Sequence, residues 1–104
     1  MMKYLKTFEN INLKKYVIIE IPWLTGEKNF MSILEIVDFT DNLYHIKFHY
    51  SYIYRKNRIE KDDDYINEYD ADFFKNLKIV LQSDSLDECL EYLNFTKEIN
   101  KYNL

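Results

Sequence analysis

From Tyr44 to Tyr54 every second residue is aromatic or apolar. Tyr44, Ile46, Phe48, Tyr50, Tyr52 and Tyr54 occupy one phase, and His45, Lys47, His49 and Ser51 occupy the other. Side chains on a β-strand alternate between its two faces, so the run predicts a strand with an aromatic stripe on one side and polar groups on the other. A stripe of that length needs a cover. The C-terminal segment supplies one, because Leu86, Cys89, Leu90 and Leu93 recur at helical spacing. Ser85-Leu86-Asp87-Glu88 has the form of a capping box, which starts this helix at Leu86. Phe95, Ile99 and Tyr102 extend the apolar face if the helix continues through Asn94.

The remaining elements follow from shorter signals. Residues 16 to 22 are β-branched and compact up to Pro22, which cannot donate to a ladder and so ends or edges the strand. Thr25 to Asn29 carries turn chemistry around Gly26. Residues 30 to 39 are ambiguous, since Ser32, Glu35 and Asp38 recur every third position as on a helix. Ile33, Ile36 and Val37 favour a strand. Thr40-Asp41-Asn42 then reverses the chain into the Tyr-rich strand over residues 43 to 55. Residues 59 to 69 read as a long loop or an irregular strand. Asp70 or Asp72 caps a short helix carrying Phe73, Phe74 and Leu77, and residues 78 to 82 form another strand. With one Gly and one Pro in the chain, Asn42, Asn57, Asn67 and Asn94 are the candidates for turn positions. Residues 1 to 15, with Tyr4, Leu5, Phe8 and Ile11, suggest a short helix or an ordered arm.

The fold class expected is α+β: one domain over residues 1–104, an antiparallel meander of three to five strands packed by a C-terminal helix. A small SH3-like barrel with an added helix is the alternative. Under the first arrangement Ile46, Phe48 and Leu90 are buried together. A chain of 104 residues, 47% hydrophobic and 31% charged, is long and apolar enough for such a core. Tyr, Lys, Asn, Ile and Phe share AT-rich codons, so the positions of the ten tyrosines inform more than their number.

Charge is unevenly spread. Residues 60 to 72 hold seven acids against one base, a balance of −6 in a chain whose net charge is −4. The basic run Arg55-Lys56-Asn57-Arg58 adjoins it. Like charges gathered this way oppose compaction, so the segment is either a solvated loop or a contact surface. Asp62, Asp63, Asp64, Tyr65, Glu68 and Tyr69 are the candidate partner-binding residues, with the two tyrosines as buried anchors.

Other chemistry finds little support in the residues. His45 and His49, four apart, suit a metal only on a helix; on a strand they lie about 13 Å apart at ~3.4 Å per residue. Cys89 falls on the apolar helix face and reads as a buried, inert thiol. Asp62 to Asp64 lacks the Gly and the closing Glu of a calcium loop. With one Gly, backbone phosphate cradles are unavailable. No catalytic residue, cofactor or metal is therefore expected.

The leading functional expectation is a non-enzymatic protein-binding module, a small acidic inhibitor or immunity-type protein that neutralises a basic protein partner. Its composition also suits genes of mobile elements. The alternative is single-stranded nucleic-acid binding, with Tyr50, Tyr52 and Tyr54 stacking bases while Arg55, Lys56 and Arg58 hold phosphates. A small enzyme of unknown reaction is the third reading. Trp23 is an exposed anchor or a core lid. A single cysteine and the lack of an apolar leader favour the cytoplasm, and no run of ~20 apolar residues spans a membrane.

Overall fold

The computed structural model describes residues 13–21 and 30–102. The expectations for residues 1 to 12 of the N-terminal arm, for Pro22, for Trp23 and for the Gly26 turn lie outside them. Six strands form one antiparallel sheet: β1 (Tyr16–Ile21), β2 (Phe30–Thr40), β3 (Leu43–Ile53), β4 (Arg58–Lys61), β5 (Ile66–Asp70) and β6 (Lys78–Ser83). A 3₁₀ turn, Phe73–Asn76, precedes β6, and helix α1 (Leu86–Tyr102) follows it. The order across the sheet is β4-β3-β2-β1-β6, and β5 pairs with the other half of β3. The sheet does not close on itself, so the α+β meander describes it and the barrel alternative does not. Among the described residues no helix is long and apolar enough to cross a membrane.

The pairing between β2 and β3 explains the Tyr-rich stripe. Ile33 lies opposite Tyr50, but Leu34 lies opposite Phe48, which leaves His49 as an extra residue on β3. Such a β-bulge breaks the alternation. Tyr44, Ile46 and Phe48 therefore face one side of the sheet, and Tyr50, Tyr52 and Tyr54 face the other. A second bulge, at Val37 on β2, brings Asp38 opposite His45 and restores the register before the turn. It also places Glu35 and Asp38 on the same face although they are three residues apart, which accounts for part of the helix-like spacing in residues 30 to 39. Asp41 and Asn42 both have positive φ, as a two-residue type I′ hairpin requires.

Each side of the sheet carries its own core. On one, Val17, Ile19, Leu34, Ile36, Tyr44 and Ile46 are buried beneath Phe74, with Phe48, Tyr69, Phe73, Leu77 and Ile79 around them. The chain between β5 and β6 crosses this face, carrying the 3₁₀ turn from one edge to the other; Phe74 meets Tyr44 edge to face at 5.1 Å between ring centres. On the opposite side Ile18, Met31, Ile33 and Tyr52 are buried with Cys89 and Leu93 of α1. Central strand β1 shows both environments at once, since Val17, Ile18 and Ile19 have no exposed surface. The expected burial of Ile46, Phe48 and Leu90 together is thus corrected. Ile46 and Phe48 belong to the crossover core, and Leu90 packs on the helix core.

Helix α1 begins as the capping box predicts, with a variation. The Glu88 backbone N–H donates to Ser85 Oγ at 3.3 Å, but the Glu88 carboxylate accepts from Ser83 Oγ, which itself accepts the Ser85 N–H at 3.0 Å. Ser83 completes the box from the end of β6. The helix continues through Asn94, whose side-chain amide donates to the Leu90 carbonyl. Phe95 and Ile99 do not extend the buried face: they are exposed on the flank of α1. Asn42 and Asn57 occupy left-handed turn positions, while Asn67 lies within β5 and Asn94 within α1. Asp72 precedes the 3₁₀ turn without a side-chain cap; the Asp70 carboxylate instead accepts its N–H at 3.0 Å.

Candidate functional site

Residues 59 to 69 are neither one loop nor one irregular strand. Strand β4 pairs with residues 50 to 53 of β3, and β5 with residues 43 to 47. The connection between them lies opposite the bulge, where the Asp62 N–H donates to the His49 carbonyl at 2.9 Å. The extra residue disrupts the ladder locally, and on this edge of β3 the chain leaves it at Asp62 and rejoins at Ile66. The acidic residues are thereby presented at one edge of the sheet.

The six predicted contact residues divide there. Asp63, Asp64, Tyr65 and Glu68 are exposed, and Tyr65 keeps 65% of its surface. Lys61 Nζ donates to Asp64 Oδ1 at 3.0 Å and holds that carboxyl below its usual range. Glu68 lies 3.8 Å from His45. Tyr69 turns inward, stacked on Phe73 at 4.1 Å between ring centres, so it serves the core instead of an interface. Asp62 also turns inward. Ile66, which sequence reasoning passed over, is 50% exposed beside Tyr65.

Asp62 ends a chain of hydroxyls. Ser51 Oγ donates to Asp62 Oδ2 at 2.8 Å, so the 2.8 Å contact between Ser32 and Ser51 has Ser32 as donor. Ser32 is fully buried and Ser51 is 7% exposed. This pair sits on the crossover side of the sheet, at the end that the crossover leaves uncovered. A cleft of about 290 Å³ opens there, lined by Phe30, Ser51, Ile53, Arg55, Lys56, Glu60 and Asp62. Glu60 within it is held by Arg58 at 3.0 Å and Lys56 at 3.9 Å.

The aromatic and basic set of the nucleic-acid alternative is placed differently. Tyr52 has no exposed surface; its hydroxyl donates to Asn57 and accepts from Asn100 of α1 at 2.9 Å. A base cannot reach its ring, which corrects the stacking role given to it. Tyr50 and Tyr54 are half-buried against the same helix core. Lys56 and Arg58 are engaged by Glu60, and Arg55 is exposed on the turn.

The two histidines have separate partners. His45 contacts Thr40 and Glu68, whereas His49 Nε2 donates to Glu35 Oε1 at 2.7 Å beside the edge of Tyr16. Burial raises the Glu35 carboxyl, but the hydrogen bond and charge of His49, with Lys15 at 3.6 Å, outweigh it and leave the pKa below the ordinary 4.5. Among the described residues, no group of three His, Cys, Asp or Glu side chains is placed to hold a metal ion. Cys89 is buried, and burial with the nearby Glu88 charge pushes its thiol up to about 11. No protein-family model, curated protein or solved structure matches this chain.

Proposed function

We propose that the protein is a binding module for a basic protein surface, engaged through the β4–β5 connection and the start of β5. The observation that carries this reading is the exposed pair Tyr65 and Ile66, set among Asp63, Asp64 and Glu68 at a sheet edge. An exposed aromatic beside an aliphatic residue gives a partner something to desolvate, and tyrosine is favoured in such contacts. The surrounding carboxylates steer an oppositely charged surface and disfavour a like-charged one. A second copy of the chain presented at this edge sets acid against acid, which favours a different, basic protein. Inhibition of that partner, as an immunity-type protein inhibits its target, is the form of the reading that fits a small acidic domain.

The test begins by recovering the partner on immobilised wild-type protein and measuring association at two salt concentrations. A variant with Asp63→Asn, Asp64→Asn and Glu68→Gln should fold normally and associate several-fold more slowly at low salt, with the difference shrinking as salt screens the charges. Tyr65→Ala should speed dissociation instead. Unchanged kinetics in both variants would reduce the segment to a solvated loop.

A further inference from the structure

The cleft around Asp62 has a chemistry that the outward-facing acids lack. Asp64 is engaged by Lys61, and Glu60 by Arg58 and Lys56. Asp62 receives a hydroxyl and a place in the wall of a cavity, and no described cation lies within ion-pair distance of it. A half-buried carboxylate held by a hydroxyl keeps most of its acceptor capacity, because a carboxylate offers about four lone-pair sites. Beside it, Phe30 and Ile53 give apolar walls. Arg55 and Lys56 line the same cleft, and Lys56 leans on Glu60. At about 290 Å³ the cavity is at the small end of ligand sites, suited to one side chain and too small for a large cofactor.

We infer that the cleft receives an arginine side chain of the protein partner, its guanidinium on Asp62 and its methylene stem along Ile53 and Phe30. Arginine fits better than lysine because a planar guanidinium pairs with a carboxylate through two parallel hydrogen bonds and stays charged when partly desolvated. Its stem covers apolar surface while its head remains at a polar group. Ser51 fixes the carboxylate in advance, which lowers the ordering that binding requires. The inference rests on the protein-recognition reading for the source of the arginine, and it assigns Asp62 a role different from that of Asp63 and Asp64.

The experiment titrates the whole chain with N-acetyl-arginine methylamide and, in parallel, with N-acetyl-citrulline methylamide, following backbone amides by NMR. Citrulline has nearly the same shape without the charge. The arginine probe should shift the amides of Ser51, Ile53, Glu60 and Asp62 along a saturating curve and bind about tenfold more tightly than the citrulline probe. Asp62→Asn, whose side-chain carbonyl still accepts from Ser51, should bring arginine down to the citrulline level. Glu91→Gln, on the exposed side of α1 and away from the cleft, should leave it within about twofold. Equal binding of the two probes, or shifts confined to Asp63–Glu68, would overturn the assignment. If Asp62→Asn does not fold, the comparison of probes on the wild-type protein decides the matter alone. The Asp63, Asp64 and Glu68 variant separates the two readings: if it loses nothing towards the partner while arginine still enters the cleft, the outward surface falls and the cleft stands. If partner binding depends on those acids and no arginine enters the cleft, the cleft falls and the outward surface stands.

Discussion

The two halves of β3 have nearly the same sequence character and opposite fates. Tyr44, Ile46 and Phe48 pack under the crossover, whereas Tyr50, Tyr52 and Tyr54 pack under the helix, on the other side of the sheet. One residue, His49, makes the difference. A continuous stripe would have concentrated the apolar residues on one face and left the other polar. The bulge distributes them so that the crossover covers one half of one face and α1 covers the other half of the opposite face. The half of the first face that lies beyond the crossover carries the Asp62 cleft, and the chain opposite the bulge becomes the acidic connection. The site thus follows from the same irregularity as the fold.

The largest expected effect lies in the core and tests whether its two halves are separate. Leu93→Ala should cost about 2 to 5 kcal/mol by urea denaturation, and Ile46→Val and Ile33→Val about 0.5 to 1.5 each. Ile33 shares a cluster with Leu93 and Ile46 does not. On the Leu93→Ala background, Ile46→Val should therefore add within about 0.5 kcal/mol, while Ile33→Val should show a coupling of about 0.5 to 3 kcal/mol. Equal coupling of the two would merge the halves.

The polar pins of the helix half come next. Tyr52→Phe removes the hydroxyl between Asn57 and Asn100 and should destabilise by about 1 to 3 kcal/mol, since two hydrogen bonds are lost and their partners are half-buried. Ser85→Ala removes the acceptor for the Glu88 N–H and should cost about 1 kcal/mol. If Tyr52→Phe were neutral, the second half of β3 would not be tied to the end of α1.

The smallest effect concerns the bulge itself. Glu35, bound by His49, has a folded pKa below its unfolded one, so its contribution is present above the unfolded value and is lost as pH falls through the folded value. Glu35→Gln should be less stable than wild type near neutral pH, and the gap should close on acidification below pH 4.5. Parallel stability curves across that range would show that the His49 contact contributes nothing.

The sequence made much of this fold legible. Strands β1, β2, β3 and β6, the hairpin at Asp41-Asn42 and the start of α1 at Leu86 all carried local signals, because strand periodicity, turn chemistry and capping are written in neighbouring residues. The bulge was not, since one extra residue changes neither composition nor apparent alternation; only its pairing partner reveals it. Strand β5 was hidden for another reason. Asn67 and Tyr69 face inward while Ile66, Glu68 and Asp70 face out, so its alternation puts an apolar residue on the wet side and an amide on the dry one. The acids at 62 to 64 were visible as a run, but the inward turn of Asp62 depends on Ser51, eleven residues away. Tyr69 was claimed by Phe73, a contact that only the crossover creates.

The most direct test of the divided stripe is the set of side-chain NOEs from β3 in solution. Tyr52 ring protons should show contacts to Leu93 of α1, and Tyr44 ring protons to Phe74, with Tyr50 opposite Ile33 and Phe48 opposite Leu34 across the strands. Contacts from Ile46 or Phe48 to Leu90 or Leu93 would show one continuous stripe under the helix, and would remove the bulge, the cleft and the account built on them.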